Sequence, residues 1–234
     1  MPVNRVQFGP YIAEFVATFC LVFAGCGAIV IDSLSHGQIT HVGVSIVFGL
    51  VITAMIYATG HISGAHINPA VSLAFALTRH FPLWRVPLYW ATQFLGAIAA
   101  AGLLRAMFGN VAKLGATVPA NGDGQSLVME AVLTFILMFV IMAVATDDRA
   151  VGQAAALAIG GTVLLDAMFG GPICGASMNP ARSLGPAIVS GSLDHQWLYI
   201  LGPVVGALLG AFGYELVRGE KPHIGVVQPG EQAS

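Results

Sequence analysis

The residues best placed to do chemistry are two copies of one tripeptide, Asn68-Pro69-Ala70 and Asn179-Pro180-Ala181. Asparagine is a favoured N-cap and proline is favoured at the first helical position, so each copy reads as the start of a helix. The chemistry on offer is binding and exclusion, not bond making. A helix N-terminus carries about half a positive charge. An asparagine can cap its helix through oxygen while its NH2 group donates to a passing molecule. Two such starts meeting face to face would make a centre where water must accept hydrogen bonds and where cations, hydronium included, are repelled. A lone Asn-Pro is equally well a loop turn. The pairing carries the reading.

Arg182 stands three residues after Asn179, on the first turn of the second such helix. A guanidinium fixed there would donate hydrogen bonds to solute and repel cations. Glu14, Glu130 and Asp166 are carboxylates inside apolar runs, which makes them functional candidates by default. Glu14 and Glu130 occupy matching places, which suits support of matched loops better than a proton relay. Asp166 is expected either to bond the loop carrying Arg182 or to face outer water. Ser63 or Ser177 beside His61 or His66 could be imagined as nucleophile and base, but no third orienting residue accompanies them, and an enzyme is not expected. A coupled transporter would need its carboxylates to converge on one midplane site. An ion channel is disfavoured by Arg182 and by the lack of acidic rings. Cys20, Cys26 and Cys174 read as free thiols, with no metal site and no cofactor. Cys174, five residues before Asn179, is a candidate for mercury sensitivity from an outer vestibule, or a small apolar filler. His41, His80 and His195 read as interfacial groups at span ends.

The elements that must position these residues are transmembrane. The 234 residues are 56% hydrophobic and 9% charged, with mean hydropathy +0.82, against about 25% charged for a soluble domain. A net charge of −2 gives no basic face for nucleic acid. Six stretches reach the roughly 20 residues a span needs: about 11–31, 41–60, 86–108, 126–146, 153–170 and 197–217. The first carries Glu14 and has no basic leader beyond Arg5, so it reads as a span and not a cleavable signal. The stretches about 68–78 and 179–189, opened by the tripeptides, are half as long and must be re-entrant.

The chain repeats itself. Glu14 and Thr18 match Glu130 and Thr134, and His66 to Ala70 matches Ser177 to Ala181. Leu88-Tyr89 and Gly96-Ala97 match Leu198-Tyr199 and Gly206-Ala207. A repeat of three spans puts its two copies in opposite orientations. Halves of about 8–108 and 126–217 then form one channel domain, followed by a polar tail over 218–234. With both termini inside, Arg5, Arg79, Arg85, Arg149, Arg218 and Lys221 are cytoplasmic, against Arg105, Lys113 and Arg182 outside. That excess supports cytoplasmic termini. Short connections and no targeting extension suggest a bacterial inner membrane. Gly96, Gly102, Gly206, Gly210 and Gly213 are expected at close helix crossings.

With Gly60-His61-Ile62-Ser63-Gly64-Ala65-His66 before the first tripeptide and Arg182 after the second, the chain resembles the aquaporin (major intrinsic protein) family over about 8–217. The stretch from Gly170-Gly171-Pro172 through Gly175 to Ala187 is most similar to the nodulin-26-like branch and its bacterial relatives. The resemblance implies an all-α bundle of six spans and two half-helices, a pore in each monomer, and a homotetramer in the bilayer. It implies that Glu14 and Glu130 hold the re-entrant loops, with His66 as a further partner. It also implies an aromatic/arginine filter, whose four positions fall on Phe48, Ala167, Ala176 and Arg182. Two alanines there imply a wide filter for water with glycerol, urea, or boric or arsenous acid. Phe48 departs from the tryptophan usual in that branch. Ser183 and Ala187 are water-channel-like, which makes a water-selective channel the rival reading.

Overall fold

The computed structural model describes residues 8–147 and 154–219. Arg5, Arg149, Lys221 and most of the polar tail lie outside the described residues. Eight α-helices run through the rest: α1 (Gly9–Leu34), α2 (Thr40–Ser63), α3 (Pro69–Leu77), α4 (Val86–Phe108), α5 (Asp123–Thr146), α6 (Ala155–Cys174), α7 (Pro180–Ser190) and α8 (Leu198–Arg218). Six are long and apolar enough to cross a membrane, the 20-residue α6 included. α3 and α7, of 9 and 11 residues, are not. Large apolar side chains are exposed on the spanning helices, among them Leu50, Leu95, Val128, Leu157 and Leu209. Exposed apolar flanks around a polar centre suit a protein whose solvent is lipid.

The two halves are built alike. α1 packs on α4, and α5 packs on α8 in the same way. Gly96 and Gly206 make these crossings close: a Cβ on Gly96 would collide with the Phe15 carbonyl, and one on Gly206 with the Ala131 carbonyl. Gly210 packs as tightly, since its Cβ would lie 2.5 Å from the Phe135 carbonyl. Gly213 would make only an ordinary contact with Phe135, and Gly102 faces open space, so neither sets a crossing as expected. The halves join where α2 meets α6. A Cβ on Gly49 would come within 2.7 Å of the Gly160 carbonyl, and one on Gly160 within 2.6 Å of the Gly49 carbonyl.

The re-entrant loops repeat more faithfully in backbone than in sequence. Gly64, Ala65 and Ile67 have φ of 85°, 48° and 57°, and Gly175, Ala176 and Met178 have φ of 82°, 41° and 54°. Glycine ends α2 and α6 in the left-handed region it tolerates best: the Gly64 N–H donates to the Gly60 carbonyl and the Gly175 N–H to the Gly171 carbonyl, both at 2.9 Å. The chain thereby turns back into the bundle and delivers each asparagine to its centre.

Candidate functional site: a channel through the helix bundle

Asn68 and Asn179 are extended N-caps, with φ of −150° and −152°. Asn68 Oδ1 accepts from the Ala70 N–H at 2.9 Å. Asn179 Oδ1 accepts from Ala181 at 3.0 Å and from Arg182 at 3.3 Å. The amide nitrogens do something the sequence did not reveal. Asn68 Nδ2 donates to the Met178 carbonyl at 2.7 Å, and Asn179 Nδ2 donates to the Ile67 carbonyl at 2.9 Å. Each asparagine therefore stitches its own half-helix to the opposite loop. One N–H of each amide serves that bond, so half of each NH2, not all of it, is left for the lumen. Both asparagines line one cavity that runs between the halves, with His66, Ile67, Ser177 and Met178 beside them. Pro69, Ala70, Pro180 and Ala181 are buried behind.

A second cavity opens outward, lined by Asp32, His41, Ser45, Gly171 and Gly175 among others. Four residues line both cavities: Phe48, Ala167, Ala176 and Arg182. They sit at the junction of channel and outer mouth. The Arg182 guanidinium lies over the Phe48 ring, 4.9 Å from its centroid, a cation–π contact that holds both groups in place. Phe48 fits because Gly25 has no side chain, a Cβ there running into its ring.

Arg182 is held from outside the half-helix as well. Its Nη1 donates to the Gly115 carbonyl at 2.8 Å. Gly115 reaches it through a turn in which Ala112, Lys113 and Leu114 all have left-handed φ, between 47° and 55°, a conformation costing roughly 1–2 kcal/mol per residue. Leu114 is fully buried and anchors the turn. Gly115 presses against α1, where a Cβ would come within 2.9 Å of the Cys26 Cβ. Thr117 continues the brace, its hydroxyl 2.7 Å from that of Ser183. The segment 109–124 joins the fold's two halves, and its contact with Arg182 is made by a backbone carbonyl. Nothing in its residue types announced this contact.

Glu14 and Glu130 are fully buried and hold the loops. Glu14 accepts from the backbone N–H of His66 at 2.9 Å and of Ile67 at 2.7 Å, from Ser63 Oγ at 2.7 Å and from Gln93 Nε2 at 2.8 Å. Glu130 accepts from the backbone N–H of Ser177 at 2.8 Å and of Met178 at 2.7 Å. The His66 ring is not the partner the resemblance implied. Its Nδ1 bonds Ser72 Oγ at 3.0 Å, and the ring packs among Phe75, Phe81 and Tyr89. Tyr89 and Tyr199, visible in the sequence only as a repeated pair, close the loop ends: their hydroxyls donate to the carbonyls of Ser63 at 2.8 Å and Cys174 at 2.7 Å. Trp90 Nε1 donates to the Pro69 carbonyl at 2.9 Å.

Three expectations change. Asp166 neither bonds the Arg182 loop nor faces water: it is fully buried, and neither carboxylate oxygen has a hydrogen-bond partner among the described residues. Cys174 is fully buried, with its thiol toward the Gly170 carbonyl at 3.5 Å, and does not line the outer cavity, so a mercuric ion in the mouth has no direct path to it. His41 lines the mouth instead of the bilayer interface. All three cysteines are free, and no cluster of metal-ligating side chains occurs among the described residues.

Known proteins carry the same plan. The family described as Major intrinsic protein matches residues 4–214. Aquaporin NIP1-1 of Oryza sativa subsp. japonica is 57% identical over 208 residues, covering 88% of this chain and 73% of that protein. Nodulin-26 of Glycine max is 53% identical over 208 residues, covering 88% and 77%. These plant sources give the expected bacterial membrane no support. The aquaglyceroporin from Plasmodium falciparum superposes with a TM-score of 0.82 over 90% of this chain and 96% of that one, at 24% identity, a likeness of fold. The family consists of channels, which sets the enzyme reading aside. On a match of nearly its whole length, the chain belongs to the major intrinsic protein family, and is a multi-pass integral membrane channel for water and small neutral solutes.

Proposed function

We propose that Phe48, Ala167, Ala176 and Arg182 form the selectivity filter, and that it passes glycerol, urea or hydroxylated metalloids such as boric and arsenous acid as well as water. The observation carrying this reading is that, among the described residues, these four line both cavities. A solute crossing from mouth to channel must pass all of them. Arg182 supplies donors only, Phe48 an apolar ring, and the two alanines neither bulk nor hydrogen bonds. A wall that is wide on one side and donating on the other suits a solute with acceptor oxygens and some apolar surface. The asparagine pair then supplies the donors of the positive centre that rejects cations.

The rival, a water-selective channel, leans on Ser183 and Ala187. Both are fully buried, and the Ser183 hydroxyl is engaged by Thr117 and Ser177. They do not touch solute, so the filter residues outweigh them. We further propose a single channel domain, cytoplasmic termini on the basis of the Lys and Arg excess, and a homotetramer, to be checked by native mass spectrometry of the detergent-solubilised protein.

The test is stopped-flow light scattering on purified protein in liposomes, with water, glycerol and urea gradients, and arsenous acid uptake in parallel. Fast flux of water and of at least one solute is expected. Water flux alone would defeat the wide-filter reading.

A further inference from the structure

The outer mouth holds one aromatic side chain whose partner, clearance and position all have separate causes in the sequence. Pro172 lies inside α6 and has no N–H to give the carbonyl four residues back, which is that of Met168. That acceptor is taken by His41 Nε2, 2.9 Å away, from the first turn of α2. A carbonyl oxygen only accepts, so Nε2 carries the hydrogen, and in the neutral ring Nδ1 is the acceptor. Gly171 makes the contact fit: a Cβ there would come within 2.5 Å of the His41 Cε1. Asp32 sets the entry of α2, its Oδ1 accepting from the Thr40 N–H at 2.8 Å. The ring is exposed and lines the mouth directly outward of Phe48, Ala167 and Arg182.

We infer that His41 is a further solute-selecting residue, holding Nε2 on the Met168 carbonyl and offering Nδ1 as acceptor to hydroxyl or amide donors of a solute entering the filter. The inference rests on the filter reading above and completes it. A polyol or urea sheds water as it enters, and each donor left unmatched raises the barrier. Arg182 can match only the solute's acceptors, and the side chains of Phe48, Ala167 and Ala176 match nothing. A nitrogen acceptor at the threshold fills the gap left by two alanines. Water, small and bonded to its neighbours in file, depends on it less.

The experiment measures water, glycerol and urea permeability in liposomes for the wild type, His41→Leu, His41→Gln and Pro172→Ala, with helix content and elution volume confirming fold. His41→Leu keeps the bulk and removes both nitrogens. The expected result is a fall of roughly fivefold in the solute-to-water permeability ratio, the equivalent of one neutral hydrogen bond. His41→Gln, with an amide that can both donate and accept, recovers most of it. Pro172→Ala returns an N–H to the Met168 carbonyl, releases the ring, and lowers the ratio by a smaller factor, a result that stands even should His41→Leu fail to fold. An unchanged ratio in His41→Leu and Pro172→Ala, or an equal fall in water and solute flux, overturns the role of His41 and leaves the filter reading standing. A wild type that carries water alone overturns both.

Discussion

The two loop cradles solve one problem with unequal means. In the first half, Glu14 gathers four donors, two from the loop backbone and one each from Ser63 and Gln93. In the second, Glu130 gathers two backbone donors, with the Cys174 thiol as its side-chain partner. The matching places explain the difference. Cys174 stands where Ser63 stands, a weakly donating thiol in place of a hydroxyl, and Pro203, with no donor at all, stands where Gln93 stands. The second loop recovers its support from outside the repeat. Gly115 takes the Arg182 guanidinium, Thr117 takes Ser183, and Gln196 Nε2 donates to the Thr117 carbonyl at 3.2 Å. The half that carries Arg182 is thus tied to the loop between α4 and α5, and the other is tied to its own helices.

The largest expected effect comes from removing the richer cradle. Glu14→Ala strands two backbone N–H groups and the donors of Ser63 and Gln93 in a dry interior, at roughly 1–3 kcal/mol for each group that finds no other partner. Glu130→Ala strands two. Thermal unfolding in detergent should place Glu14→Ala below Glu130→Ala, and the reverse order would break the comparison. Next comes the outer brace. Gly115 has φ 71° and no room for a Cβ, so Gly115→Val must displace the carbonyl that holds Arg182. Solute flux should change severalfold while the unfolding midpoint moves less than for either glutamate. A midpoint shift without a flux change would make the outer loop mere packing. A smaller effect is expected of Gln93→Leu, which leaves Glu14 with three donors: a loss of about 1 kcal/mol in stability with unaltered permeability. The smallest is Asp166→Asn. Removing an unpartnered buried carboxyl should leave the unfolding midpoint unchanged or higher and flux intact, and a loss of flux would assign Asp166 a role that its buried position does not reveal.

The spans were legible because bilayer thickness enforces length, and each helix lies within a few residues of its expected bounds, Gly9–Leu34 against 11–31 being typical. The asparagine caps were legible because Asn-Pro is a local signal. What escaped was carried by backbone. The Gly115 carbonyl, the Ile67 and Met178 carbonyls and the Met168 carbonyl all belong to residues whose side chains say nothing of their use. His41 was misplaced for the same reason: its partner exists only because Pro172 withholds an N–H across a helix contact. Asp166 was misread, and Cys174 admits two readings until its burial in the core favours the apolar filler, because sequence distance from Asn179 gives height in the membrane but not which way a helix face turns.

The most direct test of the filter is Ala167→His, compared with the wild type for glycerol and water permeability in liposomes. Ala167 lines both cavities together with Phe48, Ala176 and Arg182, so an imidazole there narrows the passage between them. Glycerol flux is expected to fall at least tenfold while water flux persists. Glycerol flux that survives the substitution would mean that solute does not pass between Ala167 and Arg182, and that the filter lies elsewhere.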